Sequence, residues 1–182
     1  MRDICIRQLL KEKQLAFYIN DTDSKVVDEL TLPVAKARID IAIINGALHG
    51  YEIKSASDTL QRLPAQLEAY SKVFDYLSIV TEKKYSEKIL LSVPKFIGLI
   101  ECTENNLKVI RKPKLNKNKD GFFIAKLLWR EEIIDLLTEH QISFRKKDRN
   151  WILCEVLSSN LNVETLSDKV REKLKNRLEW KD

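Results

Sequence analysis

Asp40, Glu52 and Lys54 are the residues in this sequence best suited to chemistry. Two carboxylates and an ammonium on one face can bind a divalent metal and hydrolyse a phosphodiester. A hard cation such as Mg²⁺ takes oxygen ligands and keeps several waters. It polarises a phosphoryl oxygen and lowers the pKa of an attached water. The lysine orients that water or stabilises charge developing on the phosphorus oxygens. Left alone, two carboxylates about 4 Å apart repel by roughly 4 kcal/mol at an effective dielectric near 20. The bland alternative is a solvated strand face whose exposed ion pair contributes little.

The elements that must position the trio follow from period. Ile39, Ile41 and Ile43 alternate with Asp40, Ala42 and Ile44, which predicts a strand. Asn45-Gly46 starts a turn and Gly50 marks its far side. Tyr51 to Ser55 alternates again, with Glu52 and Lys54 on one face. With the turn centred near Ala47, Asp40 falls opposite Glu52 to Lys54, within a residue of register. Downstream, Arg62, Gln66 and Tyr70 lie four residues apart and share one helix face. Leu63, Leu67 and Phe74 supply the adjacent packing stripe, and Ser57 or Asp58 the N-cap. Pro64 either sits in the first turn of that helix or bends it.

Asp40, then Glu52-Ile53-Lys54 after an eleven-residue gap, resembles the signature of the PD-(D/E)XK (restriction-endonuclease-like) nuclease superfamily. Ile39 stands where the family has its proline. Gln66-Leu-Glu-Ala-Tyr70 resembles the Gln-x-x-x-Tyr element of the exonuclease-like branch. Glu29, in Val26-Val-Asp-Glu-Leu, resembles the extra acidic residue ahead of the first strand. The combination also looks like a small, uncharacterised bacterial and prophage family. The resemblance covers about residues 26–81. It implies a cytoplasmic nuclease dependent on Mg²⁺ or Mn²⁺, acting on DNA, on a mixed α/β fold. Asp40, Glu52, the backbone carbonyl of Ile53 and Glu29 would hold the metal. Lys54 would position water, Gln66 would brace the site, and Arg62 and Tyr70 would hold phosphates. Nucleases of this fold often pair, so a homodimer is compatible with it.

Composition sets the outer bounds. The 182 residues are 44% hydrophobic and 32% charged, enough apolar mass for one core. No apolar run approaches the roughly 20 residues that span a membrane. Met1-Arg-Asp-Ile-Cys carries no apolar signal segment, so export is not expected. Cys5, Cys102 and Cys154 are distant and odd in number, which fits reduced thiols. His49 and His140 are isolated and form no zinc motif.

The net charge of +5 favours a polyanionic partner. Lys108, Arg111, Lys112, Lys114, Lys117 and Lys119 crowd one segment, and Arg145, Lys146, Lys147 and Arg149 another. Such residues neutralise phosphates without reading sequence, and Lys112 and Lys114 are candidate substrate contacts. Phe144 and Trp151 flank the second cluster, where bases would stack. The plainer alternative is a solvated linker and a helix end beside two core aromatics.

The rest of the chain reads as a helix over 4–18, a buried strand over 76–80, a helix over 84–91 and a hairpin of 96–101 with 107–111. Helices follow over 122–140 and 161–178, with a shorter one over 151–157. The expected organisation is an α/β core (1–111) with a mixed central sheet flanked by helices, a basic linker (112–121) and a helical C-terminal cap (122–182). A non-catalytic nucleic-acid-binding or partner-docking protein on a nuclease-like fold is the alternative.

Overall fold

A computed structural model describes residues 1–34, 37–55 and 58–178. Six strands form one sheet in the order β1-β2-β3-β4-β5-β6. The chain opens with α1 (Asp3–Lys13) and α2 (Ala16–Asn20), followed by β1 (Lys25–Thr31), β2 (Arg38–Ile44) and β3 (Leu48–Lys54). Next come α3 (Leu63–Ser71), β4 (Tyr76–Glu82), α4 (Lys83–Ser92), β5 (Gly98–Cys102) and β6 (Leu107–Arg111). Four helices complete it: α5 (Gly121–Ala125), α6 (Arg130–Glu139), α7 (Asn150–Asn160) and α8 (Val163–Asn176). Strands β1, β2 and β3 pair antiparallel, β3-β4 and β4-β5 parallel, and β5-β6 antiparallel. The two parallel steps each need a crossover, and α3 and α4 supply them.

The expected hairpin forms with Gly46, not Ala47, at its centre. Ala42 pairs with Gly50 and Ile41 with Tyr51, a register that sets Asp40 across from Glu52. The Asn45 side chain accepts from the Ala47 N–H at 3.0 Å and closes the turn. Gly50 is required by close packing, since a Cβ there would meet Ile39 Cδ1 at 2.4 Å and Leu77 Cδ2 at 2.9 Å.

Both sheet faces are buried. On one, Ile41, Ile43, Ile53 and Val80 pack against Ile6, Leu10 and Leu15. On the other, Ile39, Ala42, Ile79 and Leu99 share a core with Leu67, Tyr70 and Phe74. That core runs on into Ile124, Leu136, Leu157 and Val170 of the C-terminal helices. Residues 112–120 carry no helix or strand, yet they are anchored. Asn116, 2% exposed, donates to the carbonyls of Ser71 (2.7 Å) and Phe74 (2.9 Å). Lys119 pairs with the buried Asp75, whose other oxygen accepts from the Leu48 N–H at 2.7 Å.

Three expected helices differ. The 4–18 helix breaks after Lys13, where the N–H of Leu15 turns back to the Leu10 carbonyl and its side chain enters the core. Phe17, in α2, is exposed. The 122–140 helix is two, because the Glu132 carboxylate accepts from the Trp129 N–H at 2.6 Å and starts a new helix there. Pro64 lies in the first turn of α3, where its missing N–H costs nothing. Arg62, not Asp58, is the N-cap residue, and Ser57 lies outside the described residues. No helix among the described residues is long and apolar enough to cross a membrane.

Candidate functional site

Strand and helix periods bring Asp40, Glu52, Lys54 and Gln66 to one cavity of about 630 Å³. Its rim carries Glu29, Arg38 and the exposed Arg62. Glu52 is 2% exposed and Lys54 6%. One oxygen of Glu52 accepts from Lys54 Nζ at 2.6 Å and from Gln66 Nε2 at 2.7 Å. The other lies 2.7 Å from the Tyr70 hydroxyl. Gln66 turns its own oxygen to Lys54 at 3.0 Å. Tyr70 is fully buried, and its hydroxyl also lies 2.8 Å from the Arg38 carbonyl. Burial, then the negative Glu52, hold the Tyr70 phenol well above its ordinary pKa, so it stays a donor. Buried in this way, Tyr70 faces Glu52 and not a phosphate in solvent.

Asp40 is held from two sides. One oxygen accepts from the Ile53 N–H at 2.6 Å, and the other from Arg7 Nη2 at 3.1 Å. Arg7 Nη1 also donates to the Asp40 carbonyl at 2.6 Å. The same guanidinium pairs with Glu29 at 2.5 Å and approaches Asp3 and Asp28. Glu29 is paired a second time, to Arg38 at 2.6 Å. It reaches both partners from within β1 at φ 55°, a left-handed conformation rare for a side-chain-bearing residue. Burial first, then the Glu52 carboxylate, push the Asp40 pKa up to about 7, against the Ile53 N–H and Arg7.

Arg7 is the residue that reading the sequence missed. It is a cation of the chain itself, supplied by α1, where a metal ion was expected. Its position beside the apolar Ile6, Leu9 and Leu10 marks it as a helix-flank residue. Nothing in that pattern says which strand it meets.

The oxygen donors therefore do not fit a divalent ion. An ionised carboxylate offers about four acceptor positions. Glu52 uses three, on Lys54, Gln66 and Tyr70, Asp40 uses two, on Arg7 and Ile53, and Glu29 uses two, on Arg7 and Arg38, so each of these carboxylate oxygens already faces a donor of the chain. Among the described residues, no group of three His, Cys, Asp or Glu side chains is placed to hold a metal.

The basic residues sort into paired and free. On α8, Lys169, Arg171, Lys173 and Lys175 each pair with an acid, namely Glu139, Asp75, Asp135 and Asp23. Lys108, Lys112, Lys114 and Lys117 are exposed, but none lines the acidic cavity. Between α6 and α7, Arg145, Lys146, Lys147 and Arg149 are all exposed, and no ion pair among the described residues includes them. Arg130 braces this loop, donating to the carbonyls of Lys146 and Asp148 and to Asn150 Oδ1. Phe144 packs on the main core. Trp151 is 51% exposed.

Residues 5–182 match the family described as bacteriophage P4 protein cII. Protein cII of Enterobacteria phage P4 is 31% identical over 160 residues, which are 86% of this chain and 60% of that protein. The chain thus spans 60% of that relative's length. A protein of unknown function from Silicibacter pomeroyi is similar in structure with a TM-score of 0.44 and 15% identity, over 74% of this chain and 92% of that one.

The match corrects the superfamily assignment: nearly the whole chain aligns with the cII family, not with PD-(D/E)XK nucleases. The nuclease activity, its description as a hydrolase and the Mg²⁺ or Mn²⁺ cofactor are corrected with it. The physical reason is the one above. Oxygens of Asp40, Glu52 and Glu29 that would bind a metal are hydrogen-bonded to the protein's own cations and donors. Ile53 takes part through its N–H, donated to Asp40.

Proposed function

We propose, from the premise that this chain belongs to the bacteriophage P4 protein cII family, that it is a non-catalytic nucleic-acid-binding protein, with DNA as the partner. The observation that carries this reading is the division of charge. The acidic cluster is paired internally, whereas Arg145, Lys146, Lys147 and Arg149 are exposed and have no acidic partner among the described residues. Cations of that kind gain by displacing the counterions condensed on a phosphate backbone. The net charge of +5 adds attraction at longer range. A cytoplasmic location belongs to the same reading, and Cys5, Cys102 and Cys154 are free thiols.

The test is fluorescence anisotropy of labelled DNA with purified protein in EDTA. Binding is expected without added metal, with log K falling linearly as log salt rises. The variant K146E/K147E is expected to weaken binding by about tenfold or more, since two phosphate contacts become repulsive. Its melting temperature should stay near that of the wild type, because both lysines are exposed. The same DNA incubated with Mg²⁺ or Mn²⁺ should remain intact. Absence of binding at low salt, or binding that ignores salt, overturns the reading.

A further inference from the structure

We infer, resting on that reading, that the ligand is single-stranded nucleic acid and that one of its bases stacks on Trp151. The loop before α7 is a tight turn in which the Asp148 N–H donates to the Arg145 carbonyl at 2.9 Å. Lys146 and Lys147 form its tip, with Arg145 and Arg149 on either side. Arg130 ties this turn to α6 through two backbone carbonyls, of Lys146 and Asp148, and through the side-chain oxygen of Asn150. The cations are thereby presented on a pre-ordered backbone, with less ordering left to do on binding.

Trp151 stands two residues beyond Arg149. The buried residues of α7 are Leu153, Cys154 and Leu157, and Trp151 lies outside that set, half in solvent. Trp129 shows the contrast, since the Arg177 guanidinium covers its ring at 4.2 Å. Phe144 is committed to the core. A half-exposed indole near four exposed cations that enter no ion pair among the described residues is the pairing that single-strand binders use, cations along the backbone and an aromatic ring for a base. In a duplex, base faces are already stacked on one another. Duplex DNA would therefore meet the cations but offer the indole nothing.

The experiment compares a labelled single strand of roughly 16 nucleotides with its duplex, by anisotropy in EDTA at one salt concentration. The proteins are wild type, W151A, W151F and K146A/K147A. The wild type is expected to prefer the single strand. W151A should lose about tenfold on the single strand, within the range for one base on one aromatic, and change little on the duplex. W151F should recover part of the loss, and K146A/K147A should weaken both ligands. If W151A leaves single-strand binding unchanged, or weakens both ligands equally, stacking is refuted while nucleic-acid binding stands. If the wild type binds neither ligand, the broader reading fails first and this inference with it. Thermal melts of W151A guard against misfolding, which an exposed side chain should not cause.

Discussion

Replacing Asp40 by Asn isolates the electrostatic cost of the acidic cluster. In the folded protein the Asp40 carboxyl is pushed up to about 7, first by burial and then by Glu52. In the unfolded chain it returns to about 3.9. Between those values the folded state keeps a proton that the unfolded state has released. Stability therefore falls as pH rises from about 4 to about 7 and levels off above. From pH 5 to pH 8, that linkage amounts to about 2–3 kcal/mol. For a chain of this size it corresponds to about 5–10 °C in melting temperature. Asn keeps an oxygen for the Ile53 N–H but does not titrate. Its amide group beside Arg7 adds a cost, but one that does not vary with pH. The measurement is thermal unfolding by circular dichroism at pH 5 and pH 8, at constant ionic strength. The variant's melting temperature minus that of the wild type should rise by about 5–10 °C between the two. Other titrating groups cancel in that difference. Parallel curves would refute the argument, and a falling difference would show that pairing with Arg7 outweighs burial.

Two further substitutions probe the buried charges. Glu52→Gln leaves the Lys54 ammonium buried beside a neutral amide, so a loss of about 3–5 kcal/mol is expected in urea denaturation. Adding Lys54→Met should recover much of it, and a single variant as stable as the wild type would show that the pair has no structural weight. Asp75→Asn weakens the contacts to Lys119 and Arg171 that join residues 112–120 and α8 to the sheet. Amide exchange in α8 should accelerate before exchange in β3 and β4, and uniform exchange would sink that assignment.

The sharing of one face by Asp40, Glu52 and Lys54, and of another by Gln66 and Tyr70, was legible in the sequence from period and turn register. Residues two apart share a strand face, and residues four apart share a helix face. The hairpin, the strands from β2 onward and most helices were legible for the same reason, but β1 was not: residues 26–30, expected ahead of the first strand, are themselves part of the sheet's first strand. What period cannot give is the partner that arrives from elsewhere. Arg7 and Asp40 are 33 residues apart, and their meeting depends on how α1 lies across the sheet. Glu29 reaches Arg7 and Arg38 through a positive φ within a strand, which no neighbouring glycine advertises. The anchoring of Asn116 and Lys119 was hidden too, since their segment has the composition of a linker. Its polar groups bond to the chain ends around α3 and β4 instead of to water.

Residue types alone therefore did not separate a metal-binding cluster from a closed ionic network. Tracing the donor that faces each carboxylate oxygen does. A divalent ion would have to compete on Glu52 with Lys54, which is buried, and with Gln66, which is half-buried. Every buried polar group stranded by that competition costs about 1–3 kcal/mol, and a charged one more. The ion would also sit beside the Arg7 guanidinium, which pairs with both Asp40 and Glu29. At the 145–149 loop the balance is reversed, because its four cations have donors to spare and enter no ion pair among the described residues. Among the described residues, then, the charge left unpaired on this loop is positive and held on a backbone braced by Arg130, whereas the acids of the cavity are paired.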